Sequence, residues 1–461
     1  MFGSIRKEND LGIDWRAFYK TVIGLVVPMA LQNLINVGVT SADVIMLGKV
    51  GETALSASSL GGQVYFILNL IFFGLTSGAA VLTAQYWGKQ DTKTIERVLG
   101  ISLRISLAVG FVFTLAAELI PSWLMRIFTN EEEIIQAGVP YLRIVAVSYL
   151  FTAVTMVYLN IMRSVEKVII ATVVYSVSLL VNVVLNAIFI FGLLGFPAMG
   201  VAGAALATAI ARFVELVIVL WHNSRNKVVK LRLKYVGYRE KLLMKDFGRY
   251  VLPVLFNELL WGGGMATISA ILGHLGSAAV AANSVVQVTR QLAMVVSFGV
   301  AGATAIVLGK TIGEGKEELA RTYARRFARM SVVLGIAGGL VVLGVSPIAR
   351  HFLNLTPQAS HYLKYMMYIM SYFCVGQSIN TVLIVGVFRS GGDTRFGLVL
   401  DGITLWGGAI LLGMIAAFVW KLSVPLVFVF LASDEILKLP FSFWRYRSLK
   451  WLKNITREQT S

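Results

Sequence analysis

Apolar stretches near the roughly 20 residues needed to cross a bilayer recur from one end of this 461-residue chain to the other. They run at about 17–47, 53–86, 98–124, 134–162, 168–194, 201–222, 249–273, 279–310, 324–348, 360–388, 396–420 and 424–442. Hydrocarbon offers no partner to a backbone N–H or C=O, so a crossing segment must satisfy those groups internally, and runs of this length do so as α-helices. A transmembrane β-barrel would instead show segments of about ten residues with alternating polarity, a pattern this chain lacks. Several runs exceed the minimum length, which predicts tilt or protrusion beyond the bilayer. Composition agrees: 57% of residues are hydrophobic and only 14% charged, where soluble domains carry about 25% charged residues. The expectation is an all-α integral membrane protein of about twelve transmembrane helices.

The net charge of +17 would suggest a nucleic-acid partner in a soluble protein. Here the basic residues lie between apolar runs, and the positive-inside rule accounts for them; no nucleic acid is expected. The connections 87–97, 163–167, 223–248, 311–323 and 389–395 carry Lys or Arg, whereas 49–52, 195–200 and 274–278 are short and nearly uncharged, and 126–133 is acidic. That asymmetry puts both termini in the cytoplasm, with the chain in the cell (inner) membrane. The N-terminal MFGSIRKENDLGIDWRAFYK lacks the short apolar core and small-residue cleavage site of a signal peptide and reads as an amphipathic lead-in. The single cysteine, Cys374, excludes an intramolecular disulfide and sits in an apolar run as a packing residue.

The two halves are related. Pro28 and Pro253 differ by 225 positions, and the same offset pairs Gly38 with Gly263, Gly48 with Gly273, Gly51 with Gly276, Ala54 with Ala279, Gly74 with Gly299 and Gly88 with Gly313. A gapless register of this kind, anchored on a proline, predicts two pseudo-symmetric six-helix bundles: a lobe over 1–222, a basic cytoplasmic linker over 223–248, and a second lobe over 249–461 with a short cytoplasmic tail. An even number of spans per repeat makes the halves parallel, and transporters built from such repeats bind substrate near the midplane and rock one half against the other.

Ionisable side chains inside spans are costly and are functional candidates by default. The acids are Asp43, Glu215, Glu258, Asp401, Asp434 and Glu435; Arg104, Arg143, Arg212 and Arg290 lie in or near spans. Asp43 is a candidate proton or sodium site, or else a solvated residue near the outer end of its helix. Its repeat partner is Ile268, while Glu258 is paired with Asn33, so the acids break the symmetry. Glu258 follows Pro253 and precedes a triple glycine, beside a helix weakened by a freed carbonyl and able to bend; it is an ion-site candidate or a hydrogen-bond partner for another helix. Asp401 faces a cavity or pairs with Arg395. Glu215 stands three residues after Arg212, on one helix face, and reads as half of a structural ion pair. Glu435 has Lys438 as a local partner. Gln32, Asn33 and Asn36 with Asn182 and Asn186 are candidates for a polar substrate cavity in the first lobe, and Asn257, Asn283 and Gln287, with Gln291, for one in the second; interhelical hydrogen bonding is the alternative for each. Methionines and aromatics are dense near Met366–Phe373, a weak sign of an adaptable wall.

Enzyme signatures are missing. The chain has no GxxxxGK[ST] phosphate loop, no HExxH, no CxxC and no GxSxG, and its histidines, His222, His274, His351 and His361, are scattered near span ends. No enzyme, cofactor or metal is expected.

Several segments carry a resemblance over nearly the whole chain: PMALQNLINVGVTSADVIMLGKVGETALSA, GLTSGAAVLTAQYWGKQD, GFPAMGVAGAALATAIARFVE, RSGGDTRFGLVLDGITLW and DEILKLPFSFWRYRSLKW. In order and spacing they resemble the multidrug and toxic compound extrusion (MATE) transporters. The resemblance implies two six-helix lobes around a V-shaped cleft, a monomer, and antiport of bulky organic, often cationic, compounds against H+ or Na+. It implies that Asp43 and Asn182 belong to a first-lobe ion site, Glu258 to a second-lobe site, and Pro28 to a bending helix. Where many members have an aspartate, this chain has Asn186, which cannot titrate. The site would hold one carboxylate, compatible with sodium bound through neutral oxygens or with coupling moved to Glu258 and Asp401.

Two other functions fit the architecture. A flippase for a lipid-linked or polymeric precursor would show a cationic cavity, with Arg104, Arg143, Arg163 and Arg290 as its candidates. A channel would pass ions downhill without a saturable organic substrate.

Overall fold

The computed structural model describes residues 12–353 and 355–457; most of the expected N-terminal lead-in, residues 1–11, lies outside them. Among the described residues there is no strand. The long helices are α1 (Trp15–Val50), α2 (Glu52–Gly88), α3 (Thr92–Leu119), α4 (Glu132–Ser164), α5 (Ile169–Phe191), α6 (Gly200–Arg225), α7 (Lys241–His274), α8 (Ser277–Gly313), α9 (Glu317–Phe352), α10 (Pro357–Phe388) and α11 (Thr394–Val419). These eleven are long and apolar enough to cross a membrane. The twelfth, α12, runs in two pieces, Val424–Ala432 and Asp434–Arg447. All twelve runs read from the sequence are helical.

Local chemistry explains the ends. Asp14 caps α1 by accepting from the Ala17 amide at 3.0 Å, and Asp91 caps α3 through Thr94 N at 3.0 Å. The run expected at 98–124 stops at Leu119, because Pro121 opens a separate short helix, Pro121–Arg126, where its missing N–H costs nothing. Gly192, in the left-handed region at φ 72°, closes α5. The expected span 424–442 is interrupted at Ser433: its N–H reaches back only to Phe430 O (3.1 Å) and its hydroxyl takes the same carbonyl (2.6 Å). The charged Asp434 and Glu435 follow at once. Helices α10 and α11 contain π-helical stretches, Thr381–Phe388 in the first, Gly402–Ile410 and Ile415–Val419 in the second. An i→i+5 turn holds more residues than an α-turn, so it rotates the side chains beyond it; Asn380 and Asp401 stand directly before two of these stretches.

The chain forms two compact units. One holds the chain through Ala30, Ala84–Gln90, and the chain from Leu252 on; the other holds Leu31–Thr83 and Asp91–Val251. The chain changes unit inside α1 two residues after Pro28, and inside α7 immediately before Leu252-Pro253. The core of the second unit joins Leu68 and Phe72 of α2, Ala117 of α3, Leu142 and Tyr149 of α4 and Ala205 of α6. That of the first joins Leu272, Ala282, Leu363, Met366, Met367, Leu405 and Phe428; the methionines of α10 are therefore packing residues, while Tyr368 and Tyr372 point outward. Large apolar side chains such as Val112, Leu180, Val333 and Leu340 remain exposed in mid-helix, as a surface solvated by lipid tails requires.

The basic stretch 223–248 does not hang as a tether. Glu96 of α3 is buried and takes Lys230 N (2.9 Å) and Arg232 Nε (2.8 Å) on its two oxygens. Arg104 reaches Tyr238 O at 3.4 Å. Gly100 admits the Tyr235 backbone, which would stand 2.5 Å from any Cβ at that position. From Lys241 the stretch is already α7.

In the first unit the ends of α2 and α8 cross at closest range. A Cβ on Gly88 would collide with Lys310 O, and one on Gly313 with Gln85 O. The 225-residue offset relates Gly88 to Gly313 and also Gln85 to Lys310, so the crossing obeys the internal repeat. Gln85 donates to Ser390 O (2.7 Å) and Lys453 O (3.0 Å) and accepts from Ile455 N (2.8 Å), which fastens the C-terminal tail; Trp451 is wholly buried. We expect Gly313→Ala to cost about 1–3 kcal/mol by overpacking. Gly237→Ala, at φ −84° with open space around it, should be neutral within about 0.5 kcal/mol. Thermal unfolding of the purified variants in detergent checks both.

Candidate ion and substrate sites

In the second unit α1, α5 and α6 bring a short polar chain together. Asn186 and Asn182 are one α-turn apart on α5 and almost fully buried. Asn186 Nδ2 donates to Asp43 Oδ1 at 2.5 Å and to Asn182 Oδ1 at 3.1 Å. Asn182 Nδ2 donates to Thr208 Oγ1 of α6 at 3.3 Å. Asn186 Oδ1 is buried and has no hydrogen-bond partner among the described residues. The donor set around this point is one carboxylate and neutral amide and hydroxyl oxygens, the ligand type that hard cations take. No cation stands within 4 Å of Asp43 among the described residues. Asp43, Asn182 and Asn186, which the resemblance assigned to one first-lobe site, form one hydrogen-bonded cluster; Thr208 was not singled out, since a threonine in an apolar helix carries no signal of its own.

The other polar residues expected in this lobe lie apart from that chain. Gln32 is buried, and its amide donates to Val168 O (3.1 Å) and Thr172 Oγ1 (2.8 Å), fastening α1 to the start of α5. Asn33 is half-buried and Asn36 exposed. Arg212 and Glu215 form the expected ion pair, at 2.6 Å.

In the first unit the acids are joined by bases. Arg389 Nη2 binds Glu258 Oε1 (2.8 Å) and Asn257 Oδ1 (2.9 Å). Asn257 Nδ2 donates to Asp401 Oδ2 at 2.5 Å. Lys438 Nζ lies 2.8 Å from Asp401 Oδ1 and 2.8 Å from Asp434 Oδ2. Glu435 accepts from Asn380 Nδ2 on Oε2 (3.0 Å) and on its backbone carbonyl (2.6 Å). The sequence expectations need two corrections here. Asp401 is held by Lys438 of α12, not by Arg395. Lys438 pairs with Asp434, one α-turn before it, rather than with Glu435. Arg389 and Lys438 are the bases of this network that sequence reasoning undervalued: the first was counted with a basic loop, the second as a local helix partner. Asn257 serves as a bridge inside this network. Asn283 and Gln287 lie on α8, with Gln287 Nε2 donating to Asn283 Oδ1 at 3.2 Å.

Lys438 is 4% exposed, between carboxylates that are nearly as buried. Removing it alone strands two buried charges, a change worth about 3–5 kcal/mol. We expect Lys438→Met to lower the thermal unfolding temperature strongly and the triple variant Lys438→Met, Asp401→Asn, Asp434→Asn to recover most of the loss, as read by unfolding scans in detergent.

A family model named MatE matches residues 28–188 and again 253–415. Its two matches begin at Pro28 and Pro253, the positions that define the internal repeat. Among curated relatives, a probable multidrug resistance protein NorM of Thermotoga maritima is 24% identical over 444 residues, covering 95% of each chain. A probable multidrug resistance protein YoeA of Bacillus subtilis is 24% identical over 445 residues and 94% of each chain. Among solved structures, the Vibrio cholerae MATE transporter VcmN superposes with a TM-score of 0.85 at 17% identity, covering 95% of this chain and 99% of that one. A MATE structure in the straight conformation gives 0.84 at 20% identity, covering 94% and 96%. Family match and fold agree across both halves of the sequence, and the chain belongs to the MATE family of membrane transporters.

Proposed function

We propose that this protein is a secondary active exporter of bulky organic, often cationic, compounds, driven by antiport of H+ or Na+ and working by alternating access. The observation that carries the coupling assignment is the contrast among its in-span acids, Asp43 and Glu258 half-buried and Asp401 buried. Glu258 and Asp401 each already hold a basic side chain at 2.8 Å, Arg389 and Lys438, whereas Asp43 holds only Asn186. A carboxylate with no ion pair among the described residues, beside a buried amide oxygen without a donor, is suited to take up a monovalent cation. In this reading Asp43, Asn182 and Asn186, with Thr208, form the coupling site, and Glu258 and Asp401 act within the charge network of the other unit.

The relatives named as multidrug resistance proteins support the substrate class. The lobes at 1–222 and 249–461 would rock about Pro28 and Pro253. Substrate would meet the polar residues Asn33, Asn36, Asn257, Asn283 and Gln287, while Gln32 braces α1. The protein works as a monomer in the cell membrane with both termini cytoplasmic, and it catalyses no covalent step.

The test is ethidium export from proteoliposomes under an imposed proton gradient or sodium gradient in separate runs. We expect Asp43→Asn to reduce gradient-driven export at least about tenfold, the effect of losing one charge-assisted interaction, with ethidium binding retained. Export by Asp43→Asn with unchanged dependence on either gradient would sink the assignment.

A further inference from the structure

The amino-terminal part of α9, in the first unit, carries arginines at 321, 325, 326 and 329, and they divide between two faces. Arg326 lies 4.3 Å over the Trp15 ring of α1. Tyr323 and Phe327 pack on Phe18 of the same helix, with ring centroids 4.5 and 5.4 Å apart. Arg321, Arg325 and Arg329 follow one another at intervals of four, the spacing that makes helical residues neighbours. At 3.6 residues per turn they form a row about 12 Å long on the side away from Phe18. Arg321 and Arg325 are half-buried and Arg329 is exposed. None of the three has a hydrogen bond or ion pair among the described residues. The acids of the first turn, Glu317 and Glu318, are exposed and do not pair with them.

Tyr446, near the end of α12, stands in the field of all three arginines. Its ring stacks on the buried Trp451 at a centroid distance of 6.3 Å, and Trp451 Nε1 donates to its carbonyl at 3.2 Å. The phenol is therefore fixed in place, and its hydroxyl makes no hydrogen bond among the described residues. Beyond Arg329 the same row of α9 continues as Val333, Ile336 and Leu340, which are 65%, 49% and 63% exposed. The face is thus cationic where the helix begins and bare aliphatic further along. That is the order of a phospholipid, a charged head at the membrane surface and a hydrocarbon chain running inward. The positive-inside bias accounts for basic residues at this end of the helix. It does not account for three of them in one unpaired row that leads into an apolar one.

We propose that this face of α9, with Tyr446, is a binding site for one anionic phospholipid of the adjoining leaflet. The headgroup lies along Arg321, Arg325 and Arg329, the Tyr446 hydroxyl donates to a phosphate oxygen, and an acyl chain follows Val333, Ile336 and Leu340. A guanidinium meets a phosphate by paired N–H···O bonds, and basic clusters at the membrane surface select lipids of net negative charge. A choline headgroup would bring its own cation against three arginines that no carboxylate offsets. A soluble phosphate would leave the aliphatic row without a partner. The site needs only that the chain is a membrane protein, and it stands apart from the exporter reading.

The experiment is native mass spectrometry of the delipidated full chain in detergent, titrated separately with dioleoylphosphatidylglycerol, dioleoylphosphatidylcholine and glycerol 3-phosphate. The first phosphatidylglycerol should bind at least about tenfold more tightly than the first phosphatidylcholine, since each basic residue at a membrane surface contributes most of one such factor. Glycerol 3-phosphate should bind more weakly than either lipid. The triple variant Arg321→Gln, Arg325→Gln, Arg329→Gln should lose the preference for phosphatidylglycerol, and the same three positions changed to Lys should keep part of it. Removing three exposed charges elsewhere, by Lys227→Gln, Arg239→Gln and Lys241→Gln, should leave the preference within about twofold of the natural chain. Size-exclusion profiles establish that each variant is folded. If the glutamine triple does not fold, the exposed Arg329→Gln carries the test alone, with a loss of at least about threefold expected. Equal binding of the two lipids, an unchanged preference in the folded glutamine variant, an equal loss in the variant of the other three charges, or glycerol 3-phosphate binding as tightly as the lipid would each overturn the proposal.

Discussion

A charge moved from water into a hydrocarbon slab loses its hydration, and only a counter-charge, a dipole or a polar cavity inside the protein replaces it. Much of the internal architecture described here answers that demand. Lys438 is held between Asp401 and Asp434, Arg389 between Glu258 and Asn257, and Arg212 against Glu215. Each pair ties two helices together or stiffens one helix. Asp43 stands outside this pattern, with Asn186 as its hydrogen-bond partner.

The helices were legible because lipid leaves the backbone one economical solution, and a run of about 20 apolar residues announces it. The i,i+3 pair Arg212–Glu215 was legible for the same local reason. So was the neighbourhood of Asn182 and Asn186, one turn apart on one face. What the sequence withheld was tertiary. Glu258 and Arg389 meet across 131 residues of chain, and no local spacing signals that. The Asp434–Lys438 spacing of four was visible, but so was the Glu435–Lys438 spacing of three, and spacing alone does not choose between them. The stretch 223–248 read as a polar connector because it is rich in Lys and Arg. Its docking turns on a single buried acid, Glu96, on a distant helix.

The repeat and its departures from symmetry explain the two styles of polar site. At the crossing of α2 and α8 the repeat is obeyed to the residue, because two backbones in contact tolerate only glycine on both sides. At the acids it is not. Asp43 has Ile268 as its counterpart and Glu258 has Asn33, so one unit surrounds a lone acid with amides while the other assembles acids and bases into a network. A duplicated scaffold can hold its packing contacts fixed while its polar positions diverge.

The amide at position 186 has an electrical consequence. With asparagine there, the cluster on α1 and α5 carries a single negative charge, that of Asp43, and one monovalent cation neutralises it. In the proposed cycle, one cation entering against one singly charged organic cation leaving moves no net charge, so the membrane voltage neither helps nor hinders export and only the concentration gradients count. An aspartate in place of Asn186 would invite a second cation and make each turn electrogenic, adding about 2.3 kcal/mol of drive for every elementary charge crossing 100 mV. Asparagine and aspartate codons differ by one base, so voltage-blind and voltage-driven versions of the proposed exchanger are neighbours in sequence space.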